Sequence, residues 1–256
     1  FGRTKQQKLG FEFDRYADFD RRCAQLTEIY RGKTMFELVE LFGVNGTINK
    51  SLAERIVLKM FDSDARHIGD IDIFRKLGLI GKTMIQNPKG GRTEDMKLFR
   101  IDFDEIRDRR LGFEDSEFHS YFNDHQVLTI LFKEQAKDRP FGENVFVGFR
   151  RISFSDGFIE RNIKPVWTEI RRLVNEDRLE LVYEYDEKGN KKKNPTGEYV
   201  SAPNFPKSKE NVVFVRGSGK DSRDKPLELN GCRMYIQYIW IRGEDMIRAV
   251  NGDEKF

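Results

Sequence analysis

The chain has 256 residues, 35% of them charged and 38% hydrophobic, and a formal net charge of +3. That length can bury a real core, as one large domain or two small ones, and the charge balance excludes a disordered basic tail. No run approaches the ~20 apolar residues of a membrane span, and two cysteines, Cys23 and Cys232, are too few to staple a fold of this size, so a reduced, cytoplasmic setting is expected.

The first residues lack the apolar core of a signal peptide, and a sequence that opens on Phe1 is read as part of a longer one. Residues 11–30 carry Phe and Leu at helical spacing with charges between, which predicts an amphipathic helix. Shorter helices are expected at 33–43 and 51–61, the second with Ser51 as cap and Glu54 three residues on. Strands are expected at 71–74, 79–86 and 96–103. The last two flank Asn87-Pro88-Lys89-Gly90-Gly91-Arg92, a strong turn signal, so they are expected to form a β-hairpin.

A helix at 113–123, buried strands at 126–133 and 144–154, and an amphipathic helix at 163–175 with Pro165 in its first turn follow. A strand at 178–185 then leads into the longest polar stretch, 186–211, read as an arm or flap. Helices first, then a mixed sheet with interleaved helices, define an α/β or mixed α+β class. The chain is treated as a single domain, with 1–66 a helical arm and 67–250 the sheet-containing core.

The rest is organised around residues 204–240. Val212-Val213-Phe214-Val215 is a β-branched run of the kind that forms a buried strand, and 234–240 is a second. Between them, residues 216–223 read as a loop in which Gly217 and Gly219 free the backbone while Arg216, Lys220 and Arg223 project charge. From 186 to 225 there are ten Lys/Arg against six Asp/Glu, a net +4, so the remainder sums to −1. A local excess of this kind is the expected footprint of a nucleic-acid partner. The same loop also fits a solvated connection between core strands, and Lys191, Lys192 and Lys193 fit either phosphate contacts or a wet turn.

His67, His119 and His125 have no zinc-ligand spacing, and phosphate-cradling, dinucleotide and serine-hydrolase motifs are absent. Metal-dependent DNA cleavage remains as a candidate chemistry. It needs several carboxylates on Mg²⁺ and a lysine beside the attacking water, and on a strand the pattern acid-x-Lys aims both to one face. No Glu-x-Lys occurs, and Asp-x-Lys occurs only at Asp95/Lys97, Asp186/Lys188 and Asp253/Lys255, each near a turn or terminus. Residues 78–85, GLIGKTMI, offer Lys82 in the lysine position but Ile80 where the acid belongs.

That run resembles the G-V-E-L-K-T-I-P catalytic strand of the MutH mismatch-repair endonuclease and the GATC-cleaving type II restriction enzymes related to it. ENVVFVRGSGKDSRD at 210–224 is similar to the family's strand and loop ending in H-V-R-P, and FEDSEFHSYF at 113–122 matches a further segment. The likeness covers residues 23–245 and is closest to the C-terminal, catalytically degenerate half of the two-domain members. It implies a restriction-endonuclease-like MutH fold in a bacterial cytoplasm, with a central mixed sheet flanked by helices.

Carried over by position, the resemblance puts the family's metal-binding aspartate near Asp72 or Ile73, its glutamate on Ile80, its lysine on Lys82 and a helix acid on Leu58. Two carboxylates are thereby replaced by aliphatic side chains. The resemblance thus implies a vestigial catalytic position, no metal or cofactor for this chain, and Mg²⁺ only in a catalytic partner, N-terminal to it or in a second chain. Double-stranded DNA is the implied ligand and no membrane is involved. Base reading falls to Arg216, with Gly217 in place of proline, Ser218 in place of a basic residue, and Lys220 alongside; Arg223, Lys191, Lys192, Lys193 and Lys207 would meet phosphates. A second reading keeps Mg²⁺-dependent cleavage with relocated acids, Asp70 and Asp72 beside Lys82, and a third is a protein-interaction domain with an incidental basic loop.

Overall fold

The computed structural model describes residues 15–47, 50–63, 65, 67–91, 94–137, 139–252 and 256, with the backbone alone at 50, 51, 69, 72 and 73. In chain order, α1 (Tyr16–Tyr30), α2 (Met35–Phe42), α3 (Lys50–Met60) and the short α4 (Asp72–Lys76) lead to β1 (Leu79–Gln86). Next come β2 (Met96–Arg100), α5 (Phe103–Arg107), α6 (Glu117–Asp124), β3 (Gln126–Lys133) and β4 (Val145–Ile152). A single turn, α7 (Asp156–Phe158), passes through a π-helical turn into α8 (Lys164–Asn175). The chain continues through β5 (Leu181–Tyr183), β6 (Ser201–Pro203), β7 (Val213–Ser218), β8 (Leu227–Leu229), β9 (Cys232–Met234), β10 (Ile236–Ile241) and α9 (Gly243–Asn251). The class is mixed α/β, built on several small sheets.

The chain divides into two compact units. One comprises Phe1–Thr93, Phe122–Ser155 and Ile247–Phe256, the other Glu94–Tyr121 and Asp156–Met246. The division is therefore not between an arm at 1–66 and a core at 67–250, because the N-terminal helices pack on the first sheet. Gly148 of β4 sits so close to α1 that a Cβ there would lie 2.6 Å from Thr27 Cγ2.

The sheet of the first unit has the order β1-β3-β4, with β1 parallel to β3 and β4 antiparallel to it. Every residue of β3 except its two ends is buried, the pattern of a strand covered on both faces. Phe19, Phe61, Phe74 and Phe149 fill the core, with Phe19 stacked on Phe61 at 5.7 Å and edge-on to Phe74 at 5.2 Å. α2 is fixed at its start by a capping box in which Thr34 accepts from the Glu37 amide and Glu37 accepts from that of Thr34.

Two expectations fail in this unit. Residues 71–74 are not a strand: only Ile71 is extended, and its carbonyl accepts from the Phe74 and Arg75 amides at 3.1 and 3.3 Å, which starts α4 at Asp72 and buries Phe74. Strands 79–86 and 96–103 do not form a hairpin. The turn itself exists, with Asn87 Oδ1 accepting from the Lys89 and Gly91 amides at 3.0 Å, but β1 pairs with β3 and β2 with β10. Arg92 and the Asp253/Lys255 pair lie outside the described residues, as do residues 11–14 of the first expected helix and the Ser51 side chain.

The second unit is built on the sheet β2-β10-β7, antiparallel throughout. α8 presents buried Val166, Trp167, Ile170, Leu173 and Val174 on one face. It is tied to the chain after α5 by Arg171, which donates to the carbonyls of Leu111 and Asp108 at 2.7 and 3.0 Å. Asn230-Gly231, both at positive φ, form the two-residue turn between β8 and β9, and the strand expected at 234–240 is split, Met234 ending β9 and β10 starting at Ile236.

Candidate nucleic-acid interface

Along β10 the side chains alternate, with Gln237, Ile239 and Ile241 buried and Tyr238 and Trp240 partly exposed, so one sheet face meets the core and the other meets solvent. Arg216 is not on a loop, as expected from the sequence, but on β7 directly opposite Tyr238, because the strand runs on through Ser218. Its guanidinium lies 4.9 Å from the ring centroid of Phe214 and 5.2 Å from that of Trp240, and Trp240 Nε1 donates to the Arg216 carbonyl at 3.0 Å. Arg216 Nη2 donates to Asp95 Oδ2 at 2.7 Å, while Asp95 Oδ1 accepts from the Gly243 amide at 3.1 Å. The arginine head thus lies over two aromatic rings and is aimed by a carboxylate that is itself fixed. Its Nε and Nη1 hydrogen-bond to none of the described residues.

Across the sheet, Lys97 of β2 sits opposite Trp240, with Nζ 4.3 Å above the Tyr238 ring and donating to Ser218 Oγ at 3.5 Å. The outer face therefore combines two cations, two aromatic rings and a hydroxyl. Base edges and phosphates engage this mixture of groups. Asp95 and Lys97 form one of the three Asp-x-Lys pairs, but that carboxylate is committed to Arg216 and Gly243.

The glycines after Arg216 have a packing role. A Cβ on Gly217 would stand 2.8 Å from Tyr235 Cβ and 2.9 Å from Gln237 Nε2, and one on Gly219 would stand 2.6 Å from Tyr235 Cδ1. Beyond them Lys220 and Arg223 are exposed; the Lys220 amide donates to Asp224, and Arg223 lies 3.8 Å from Asp221.

Behind β7 lies a cleft of about 390 Å³ whose lining includes Lys207, Arg216, Lys225, Arg233, Tyr235 and Gln237. Burial, and secondarily the charge of Arg216, push the Lys207 ammonium down to about 8. Lys225 pairs with Glu198 at 3.6 Å, whereas the Lys207 ammonium has no partner among the described residues.

The polar stretch after β5 is an ordered ribbon. Bridges Tyr185 to Lys191 and Lys193 to Tyr199 fold it into two successive turns, closed by Asp186 and by Asn194 accepting amides across each, before β6 returns to pair with β5. Lys191 Nζ lies 3.6 Å above the Tyr183 ring and Lys193 Nζ 5.2 Å above Tyr199, while Lys192 is 3.1 Å from Glu184. The three lysines and Tyr185 and Tyr199 are exposed, so the arm presents alternating charge and ring to solvent.

In the first unit, Ile80 and Lys82 fall two apart on β1, partly exposed, and Lys82 faces Thr129 across the parallel pair. Leu58 is 2% exposed and lies in the aromatic core of that unit. Asp70 accepts from the His67 amide. The Asp72 side chain lies outside the described residues. Among the described residues no three His, Cys, Asp or Glu side chains converge as a metal site would require, and no helix is long and apolar enough to cross a membrane.

The sequence raised Asp95 and Lys97 only as an acid-x-Lys pair and did not point to Tyr238, Trp240 or Gln237. Asp95-x-Lys97 followed by an alternating Tyr238/Trp240 pattern carried a signal for a two-faced strand, but the pairing that unites them is long-range. Comparison with protein-family models and with curated proteins gave no match.

Proposed function

We propose that this chain is a non-cutting, double-stranded-DNA-binding half of a MutH-like type II restriction endonuclease, recognising a GATC-type site through the second unit. The observation that carries the reading is Arg216, over the Trp240 and Phe214 rings and oriented by Asp95, with donors left over for a guanine edge. A bidentate contact to guanine O6 and N7 is the commonest specific readout in the major groove. Lys97, Lys220, Arg223 and the Lys191, Lys192 and Lys193 arm would meet phosphates and set the register.

The burial of Leu58 and the aliphatic Ile80 support loss of cleavage, since Mg²⁺ needs several oxygen ligands. Mg²⁺ and scission then belong to a catalytic partner domain, with this chain its allosteric effector. Fluorescence anisotropy with a GATC duplex and a scrambled duplex at about 100 mM salt tests the reading; a specific binder still holds at that ionic strength. The GATC duplex should bind at least tenfold more tightly, and equal affinities would overturn the proposal.

A further inference from the structure

We infer that the cleft behind β7 receives a single nucleotide turned out of the DNA stack, its phosphate on Lys207 and its base edge on Gln237. The inference rests on the DNA-binding reading above and adds a specific pocket to it.

Two groups in the cleft lack partners, and they ask for opposite things. The Lys207 ammonium is half-buried beside Arg216 and pairs with no carboxylate among the described residues, since Glu184, which also lines the cleft, is held by Lys192 at 3.1 Å; this calls for an anion. Gln237 is 1% exposed; its Nε2 donates to the Tyr235 carbonyl at 2.8 Å, but its Oε1 is buried without a hydrogen bond. A buried acceptor calls for an N–H donor. Inorganic phosphate would serve the lysine and leave the glutamine unmet.

A nucleotide carries both complements, because each base presents an N–H on its pairing edge and that edge is exposed only when the base leaves the stack. Ala202, Pro203 and Met234 supply apolar wall for the ring. A volume of about 390 Å³ falls in the range of roughly 300–1,000 Å³ typical of small-molecule sites. Gly217 and Gly219 keep the Tyr235 side chain pressed against β7 at the side of this space.

The full chain is titrated into GATC duplexes carrying 2-aminopurine at one position at a time, whose emission rises when the base unstacks. Wild type at saturation should give a several-fold rise at one position. Lys207→Met and Ala202→Trp, which plugs the cleft from its exposed rim, should abolish that rise at protein concentrations that still saturate the duplex, with circular dichroism establishing that both fold. A saturated wild-type complex with no rise at any position overturns the inference and leaves the DNA-binding reading standing. A rise that survives Ala202→Trp overturns the cleft as its location. Failure to retard any duplex overturns the DNA-binding reading, and the inference with it.

Discussion

Asp95 joins two elements through one carboxylate: Oδ2 takes Arg216 Nη2 at 2.7 Å and Oδ1 takes the Gly243 amide at 3.1 Å. The Arg216 side chain is 45% exposed and that of Asp95 18%, so the pair sits at the boundary of core and solvent. An exposed ion pair of this kind contributes only ~0.2–1 kcal/mol to folding. Its effect is to fix where the guanidinium points.

Arg216→Ala should therefore leave stability within about 1 kcal/mol of wild type while removing sequence preference. Loss of a bidentate guanine contact of ~1–3 kcal/mol corresponds to roughly ten- to hundredfold less discrimination. Paired anisotropy titrations with GATC and scrambled duplexes measure it. Asp95→Asn should lower discrimination less, since the aromatic surface beneath Arg216 remains.

Lys192→Ala should weaken cognate and scrambled binding alike and reduce the slope of log K against log salt by about one. Titrations between 50 and 200 mM salt supply the slope, for which about 0.9 per phosphate contact is expected. A selective loss on the cognate duplex would place this lysine in base reading.

Gly217→Ala adds a methyl 2.8 Å from Tyr235 Cβ and 2.9 Å from Gln237 Nε2. Overpacking of this sort costs about 1–3 kcal/mol, which urea unfolding monitored by fluorescence resolves. Wild-type stability in the variant would mean that Tyr235 and Gln237 give way to the methyl without cost.

The Lys207 ammonium, pushed down to about 8 from its ordinary 10.5, loses its proton in the folded state where the unfolded chain still holds it. The unfolded state then binds more protons between about pH 8 and 10.5, so this group makes stability rise with pH across that window and contributes a constant penalty below it. Lys207→Met should accordingly be the more stable protein at pH 7, with the difference closing as pH climbs. Its DNA affinity should lack the decline above pH 8 expected of wild type.

Incubation of wild-type chain with GATC plasmid and Mg²⁺ should yield no site-specific nicking, because Leu58 and Ile80 stand at the two positions where the family resemblance places acids. Nicking that Asp72→Ala abolishes would establish an active centre assembled from other carboxylates.

Elements whose pattern is local were legible. The strands at 79–86 and 126–133 form at the bounds expected, and the helix carrying Pro165 starts within a residue of its place. What could not be seen was pairing at long range. A good turn at Asn87 implied a hairpin, yet β3, apolar through its length, took β1 as partner and left β2 to β10. Arg216 is exposed, as its place among the charges of 216–223 led one to expect, but its orientation depends on Asp95, 121 positions away, and no local periodicity encodes that contact. Gly217 and Gly219 signalled a free loop, whereas their small size serves close packing on Tyr235.

Of the two tryptophans, Trp167 is buried on the inner face of α8 and Trp240 lies partly exposed on the face that carries Arg216. The molecule therefore contains its own optical reporter. Emission from an indole in contact with stacked bases is quenched and that from a shielded one is not, so unlabelled protein should dim as duplex is added, and Trp240→Phe should abolish most of the change.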